Sequence, residues 1–352
     1  MQIRQNMMIA KQKYTSIGGQ AVIEGVMMRS PHFYTIAIRK AENQILIKEL
    51  PWKGYSEHFT FLKKPFFRGI CTLLESMING VQALSYSANI AAQFETKPGA
   101  KQQELSKFAI FTSIFFAFCM GMGLFVALPH FLTVVLGDLG LYSTTVNSPF
   151  FHLVDGFIKV VFLVLYVYLI AFMKDIKRVF QYHGAEHKSI YAFEKGEELT
   201  IENARKYPTL HPRCGTSFLL FLLIISIFAF SILFPLIQAT KLHDNALINH
   251  ALLVVFKIFL MFPVAGISYE FIRLSANHME NPLFKILIYP GLLLQKLTTR
   301  EPTDDQLEVA LASLKRVLYL EKSPQALSQK ELEFSSLRDI VYAPATVSEF
   351  PG

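Results

Sequence analysis

The sequence predicts a mainly α integral membrane protein, with about four transmembrane helices, a small β-hairpin element and amphipathic helices on the cytoplasmic side. Three observations carry this. Hydrophobic residues make up 52% of the 352-residue chain and charged residues 17%, with a mean hydropathy of +0.35. A soluble domain carries roughly 25% charged residues. Four apolar runs, at 108–136, 151–173, 216–240 and 251–269, have about the length needed to cross a bilayer. Lys and Arg are also spread unevenly over the segments that join these runs.

The N-terminal region, residues 1–106, is read as cytoplasmic. Its first 16 residues are basic and rich in Met and Gln, with no continuous apolar core that would mark a signal peptide. The run Ile17 to Arg29 has glycines at 18, 19 and 25 that mark tight turns or close backbone approach. Within it Glu24 reads as a solvent-side strand residue, or else as a buried carboxylate near a metal. Tyr34–Lys40 and Gln44–Leu50 alternate as strands and are joined across 41–43 as a hairpin, so short strands are expected over 17–50. Residues 65–93 are periodic at helical spacing, with Phe67, Ile70, Leu74, Met77, Ile78, Val81 and Leu84 on one stripe. This amphipathic helix suits the membrane interface or the surface of the cytoplasmic domain. A charged linker, 95–107, precedes the first span.

The spans follow as 107–136, 151–173, 216–240 and 251–269. The second carries Asp155 and Lys159, four apart and able to pair, and the fourth carries Lys257 and Pro263. Charges inside such segments usually pair or snorkel, so a structural role comes first and a conduction path second. The 137–150 loop has no Lys or Arg and the 241–250 loop only Lys241, whereas 174–215 carries a basic series from Lys174 to Arg213. By the positive-inside rule both termini and the 174–215 loop face the cytoplasm of a cell in whose inner or plasma membrane the chain sits. The formal charge of +7 is thereby explained by orientation in a lipid bilayer, with no nucleic-acid partner implied. Cys71, Cys119 and Cys214 have no regular spacing, which excludes a disulfide framework and fits a reducing compartment.

The C-terminal region, 270–320, is read as cytoplasmic or interfacial. Glu270 and Arg273 form a helical i, i+3 pair, with Glu270 a further metal candidate. Residues 283–294 are apolar, too short to span, and broken at Pro290-Gly291. A helix from about 303 to 320 is capped by Thr303 or Asp304, with Leu307, Ala310, Leu311 and Leu314 as its apolar face. Residues 321–352 read as a flexible tail.

The candidate chemistry lies between Gln181 and Ser217. Tyr182-His183-Gly184-Ala185-Glu186-His187-Lys188 places His183 and His187 four apart, on one face of a helix, with Glu186 beside them. His-x-x-Glu-His is the order of an inverted zincin motif, in which two imidazoles hold zinc and the carboxylate handles a proton of water. His211-Pro212-Arg213-Cys214 adds a further imidazole and a thiol, a donor set that zinc prefers. The expected metal ligands are therefore His183, His187, His211 and Cys214, with Glu186 catalytic and Zn2+ the ion. Two plainer readings stand beside this one: a solvated polar helix face, and Cys214 as a nucleophile activated by His211.

Residues 18–29, 182–188, 211–217, Tyr269-Glu270 and the stretch from Pro290-Gly291 to Thr298-Thr299-Arg300-Glu301-Pro302 resemble, in that order, the motifs of the DUF1385 family of YqhQ-like bacterial membrane proteins. The resemblance covers about residues 16–318. It implies a membrane protein from an uncharacterised family whose members are described as metal-dependent, and it supplies no substrate. Two functions remain open on the sequence. One is a zinc-dependent hydrolase in which one of His211 or Cys214 joins the two helical histidines. The other is a non-catalytic scaffold, assembly factor or transporter subunit with a structural metal, which four ligands would favour. Protein partners and oligomeric state are not legible.

Overall fold

A computed structural model describes residues 17–40, 44–54, 59–95, 107–141, 148–237, 243–278 and 281–340. The N-terminal glycine-bracketed run forms two strands, β1 (Gly18–Val22) and β2 (Gly25–Arg29), turning at Ile23 and Glu24. Glu24 takes φ 53°, an uncommon value for a residue with a side chain. β3 (Phe33–Arg39) and β4 (Ile45–Pro51) pair antiparallel as expected, although 41–43 lie outside the described residues. The sheet does not stop at the hairpin. Residues 332–334 add β5 (Leu332–Phe334) beside β4, giving the order β1-β2-β3-β4-β5. The segment after 320, expected as a flexible tail, thus completes the sheet and buries Leu337 and Ile340. The strand is only three residues long, too short for alternation to announce it. Residues 341–352 lie outside the described residues.

Helices cover both faces of this sheet. α1 (Phe67–Glu95) packs Ala83 and Ile90 against Val22, Ile36, Ile38 and Leu46 on one face. The apolar stripe of α1 points the other way. Leu74, Met77, Ile78, Val81 and Leu84 are exposed, while Cys71, Glu75, Asn79 and Ser87 are buried. That outward stripe suits an interfacial helix. The opposite face of the sheet packs on α5 (Lys174–Glu194), the one-turn α6 (Ile201–Arg205) and α10 (Asp304–Lys322). Tyr182, Ala185 and Phe193 join Leu307, Ala310, Leu311, Leu314 and Val317 in that core. Thr303 caps α10, with Gln306 Oε1 accepting from its backbone N–H at 2.9 Å.

Among the described residues, four helical stretches are long and apolar enough to cross a membrane. The first consists of α2 (Lys107–Met122), a π-helical turn (Gly123–Ala127) and α3 (Leu128–Asp138). The others are α4 (Pro149–Ile170), α7 (Gly215–Ile237) and α8 (Ala246–Asn277). Phe151, Phe230, Phe234, Leu253 and Val264 form their common core. α9 (Pro282–Thr298) runs unbroken through Pro290, where an interruption was expected. Gly291 lies where a Cβ would stand 2.9 Å from Ser217, so the turn after Pro290 can seat tightly on α7. α1 crosses α8 just as closely, since a Cβ at Gly69 would meet Tyr269 Cβ at 2.7 Å. There Glu270 accepts from Arg68 Nε at 2.6 Å and from the Phe66 N–H at 3.2 Å. Its ion-pair partner is Arg68, from another helix, rather than the expected Arg273.

Candidate metal centre

The Tyr182–Lys188 motif lies inside the 21-residue helix α5, packed on its sheet side, and not in a membrane-side loop. Helical spacing stacks the two imidazoles, with ring centroids 4.4 Å apart. The chain then passes through α6 and returns so that Cys214 immediately precedes α7. His183 Nε2 lies 3.2 Å from Cys214 Sγ. One donor atom each from His183, His187 and Cys214 lie within 4.8 Å of one another. His187 and Cys214 are buried and His183 is half-buried.

The other nitrogen of each histidine is held by a backbone carbonyl. His183 Nδ1 donates to Thr298 O at 2.8 Å, at the end of α9, and His187 Nδ1 donates to Thr209 O. A carbonyl only accepts, so the ring proton sits on Nδ1 in both residues and the Nε2 lone pairs are left facing the sulfur. Metal-bound histidines show the same arrangement, in which the outer nitrogen is tied to a carbonyl or carboxylate. The Thr216 N–H points at Cys214 Sγ from 3.4 Å, and the sulfur sits at the N-terminal end of α7. Burial lowers the His187 pKa, keeping its imidazole unprotonated and able to donate.

His211, the fourth expected ligand, is not brought into this group. Gln295 clamps its backbone, accepting from His211 N at 2.8 Å and donating to His211 O at 2.7 Å. Its Nδ1 accepts the Arg213 N–H at 3.3 Å, which places the ring proton on Nε2, 3.5 Å from Glu194. Its ring stacks edge-on against Tyr191 at 4.6 Å and lies 5.6 Å from that of His187. Burial holds its pKa down at about 4. The other two titratable candidates also lie apart from the ligands. Glu24 pairs with Arg178 of α5 at 2.5 Å, and Glu270 lies on α8 as described.

Glu186 is buried beside the ligands, and among the described residues its carboxylate makes no hydrogen bond. Burial raises its pKa, opposed by the nearby His183 and His211. Gly19 of β1 explains how it fits, because a Cβ there would stand 2.7 Å from Glu186 Cγ and Oε1. Gly184, two residues back, likewise leaves room for the Arg300 carbonyl. The separate sequence motifs therefore meet at one place. Gly19 roofs the carboxylate, Thr298 and Gln295 hold the imidazoles and the loop, and Lys188 ties α5 to Glu301 at 2.6 Å. Gln295, Thr209 and Thr298 were not legible as site residues, since two of them act through backbone carbonyls.

The donor set fits zinc. Tetrahedral zinc, with Zn–N near 2.0 Å and Zn–S near 2.3 Å, needs ligand atoms about 3.3–3.6 Å apart. The three donor atoms lie within 4.8 Å of one another, near that spacing.

Comparison with known proteins bears out the family resemblance of the sequence. Residues 64–320 match the family described as "Protein of unknown function (DUF1385)". The chain is 34% identical over 310 residues to "Uncharacterized protein YqhQ" of Bacillus subtilis (strain 168), covering 86% of this chain and 92% of that protein. No solved structure matches. The chain belongs to the DUF1385 family.

Proposed function

We propose that this family member is a zinc-dependent hydrolase of the cytoplasmic face of the cell membrane, with His183, His187 and Cys214 as metal ligands and Glu186 as general base. One observation carries the reading. Two Nε2 lone pairs, fixed by carbonyl bonds on the far side of each ring, converge on a cysteine sulfur. Three protein ligands leave a coordination position open, as catalytic zinc sites do. The ion supplies Lewis acidity towards water and towards a substrate carbonyl or phosphoryl oxygen.

The protein's own part is positioning and proton handling. Glu186 takes a proton from the attacking water and returns it to the leaving group, and its burial-raised pKa suits both directions of transfer. The outward apolar stripe of α1 and the exposed apolar residues of α9 support a substrate that lies close to the membrane.

The alternative is a structural site in a non-catalytic scaffold, with His211 turning in as fourth ligand. Its support is that His211 Nε2 is buried without a hydrogen bond of normal length. Assays of the zinc-loaded, detergent-purified chain on a panel of chromogenic esters, amides and phosphoesters separate the two. We expect Glu186→Gln to keep its zinc and lose roughly 100-fold or more in rate. No hydrolysis by the zinc-loaded chain favours the scaffold, whereas hydrolysis unaffected by Glu186→Gln removes Glu186 as the base.

A further inference from the structure

The membrane bundle contains a second polar cluster, independent of the metal reading. Asp155 of α4 receives Lys159 Nζ and Lys257 Nζ on the same oxygen, Oδ2, each at 2.8 Å. All three residues are buried, Lys257 to 1% exposure. Three aromatic rings surround the Lys257 ammonium, those of Phe151, Phe230 and Phe234, at 5.5–6.0 Å from their centroids. Such rings favour a charged ammonium. Two ammoniums against one carboxylate leave a net charge of 2 − 1 = +1 within the span. An uncompensated charge buried in a membrane span is strongly disfavoured.

A cavity of about 20 Å3 lies beside the two lysines, lined also by Ser226, Phe125 and Phe230. A cavity of that size holds one guest about as large as a water molecule. It is too small for phosphate or sulfate. One of its walls, Phe125 and Val126, belongs to the π-helical turn, a feature frequent at functional sites. Lys159 directs one ammonium proton to Asp155, and Lys257 directs one to Asp155 and one to His130 Nδ1 at 3.2 Å. Each ammonium has three protons, so donors remain for a guest.

We infer that the bundle binds one small monovalent anion, of chloride or bromide size, between Lys159 and Lys257. The guest neutralises the cluster and accepts the remaining ammonium protons. The competing way to neutralise it is loss of a proton from one lysine. The titratable groups that face the cluster are His130 from α3, His152 from α4 and His250 from α8, with Asp138 facing His250. α7 contributes none.

The test uses the full chain in detergent, measuring radiolabelled chloride bound per chain and the thermal midpoint in chloride, bromide or gluconate at equal ionic strength. We expect about one chloride per chain, and a midpoint roughly 4 °C higher at a hundredfold excess over Kd, with gluconate inactive. Lys159→Met leaves a neutral Lys257–Asp155 pair, so it should fold at least as stably in gluconate and show no halide response. Absence of chloride binding in the wild type overturns the inference, as does full binding by Lys159→Met. A midpoint that follows pH and ignores halide would mean that a lysine is neutral, and would also overturn it.

Discussion

The two buried polar clusters of this chain are opposites. At the junction of the bundle and the sheet domain, His183, His187 and Cys214 bring lone pairs together. Inside the bundle, Lys159 and Lys257 bring two ammoniums to one carboxylate. The first arrangement is suited to a metal ion and the second to an anion. The difference teaches that burial alone does not define a site. What defines it is the sign of the charge left uncompensated and whether neighbouring groups hold the donors or acceptors in place. In the first cluster the holders are the Thr209 and Thr298 carbonyls, and in the second they are aromatic rings and the Asp155 carboxylate.

The sharpest way to break the comparison is to remove the shared counter-charge of the bundle. Asp155→Asn would leave two ammoniums facing each other without a carboxylate. Breaking a buried ion pair costs about 3–5 kcal/mol, so unfolding in detergent should shift strongly and yield should fall. Metal content of whatever folds should be unchanged. A variant as stable as wild type would show that the ammoniums are not both charged.

A smaller effect sharpens the other side. Gly19→Ala puts a methyl group against the Glu186 carboxylate, whereas a Cβ at Gly18 meets nothing within 4 Å. Overpacking of this kind costs roughly 1–3 kcal/mol. Thermal unfolding should therefore separate Gly19→Ala from Gly18→Ala, with Gly18→Ala close to wild type. Equal midpoints for the two would mean that Glu186 has room to move away.

The smallest effect is expected at the periphery of the domain. Glu24 and Arg178 form an ion pair in which Arg178 is 52% exposed, and exposed pairs contribute about 0–1 kcal/mol. Glu24→Gln should shift unfolding by no more than that and leave metal content alone. Loss of metal in Glu24→Gln would draw the first cluster's boundary wider than His183, His187 and Cys214.

Much of this was legible in the sequence because it rests on local spacing. The i, i+4 histidines read directly as one helix face, the four spans as apolar runs, and Asp155 and Lys159 as a pair one turn apart. Three things were not legible, each for a physical reason. Lys257 meets Asp155 across 102 positions of chain, and no periodicity links two helices of a bundle. His211 has the right chemistry and the right neighbourhood, but Gln295 and the Arg213 N–H fix its loop so that Nε2 lies 3.5 Å from Glu194 and apart from the other three donors. The alternation that revealed β3 and β4 has no counterpart in the three residues of β5, whose place is set by pairing with β4. The α1 stripe was read correctly as apolar, yet its polar side, with Glu75 and Asn79, is the side that packs on the sheet.

Elemental analysis of the detergent-purified chain expressed with zinc supplied, for wild type, His187→Ala, Cys214→Ser and His211→Ala, tests the metal centre itself. We expect about one zinc per chain in wild type and in His211→Ala, and loss of it in His187→Ala and Cys214→Ser. Wild-type protein without bound metal would contradict that expectation.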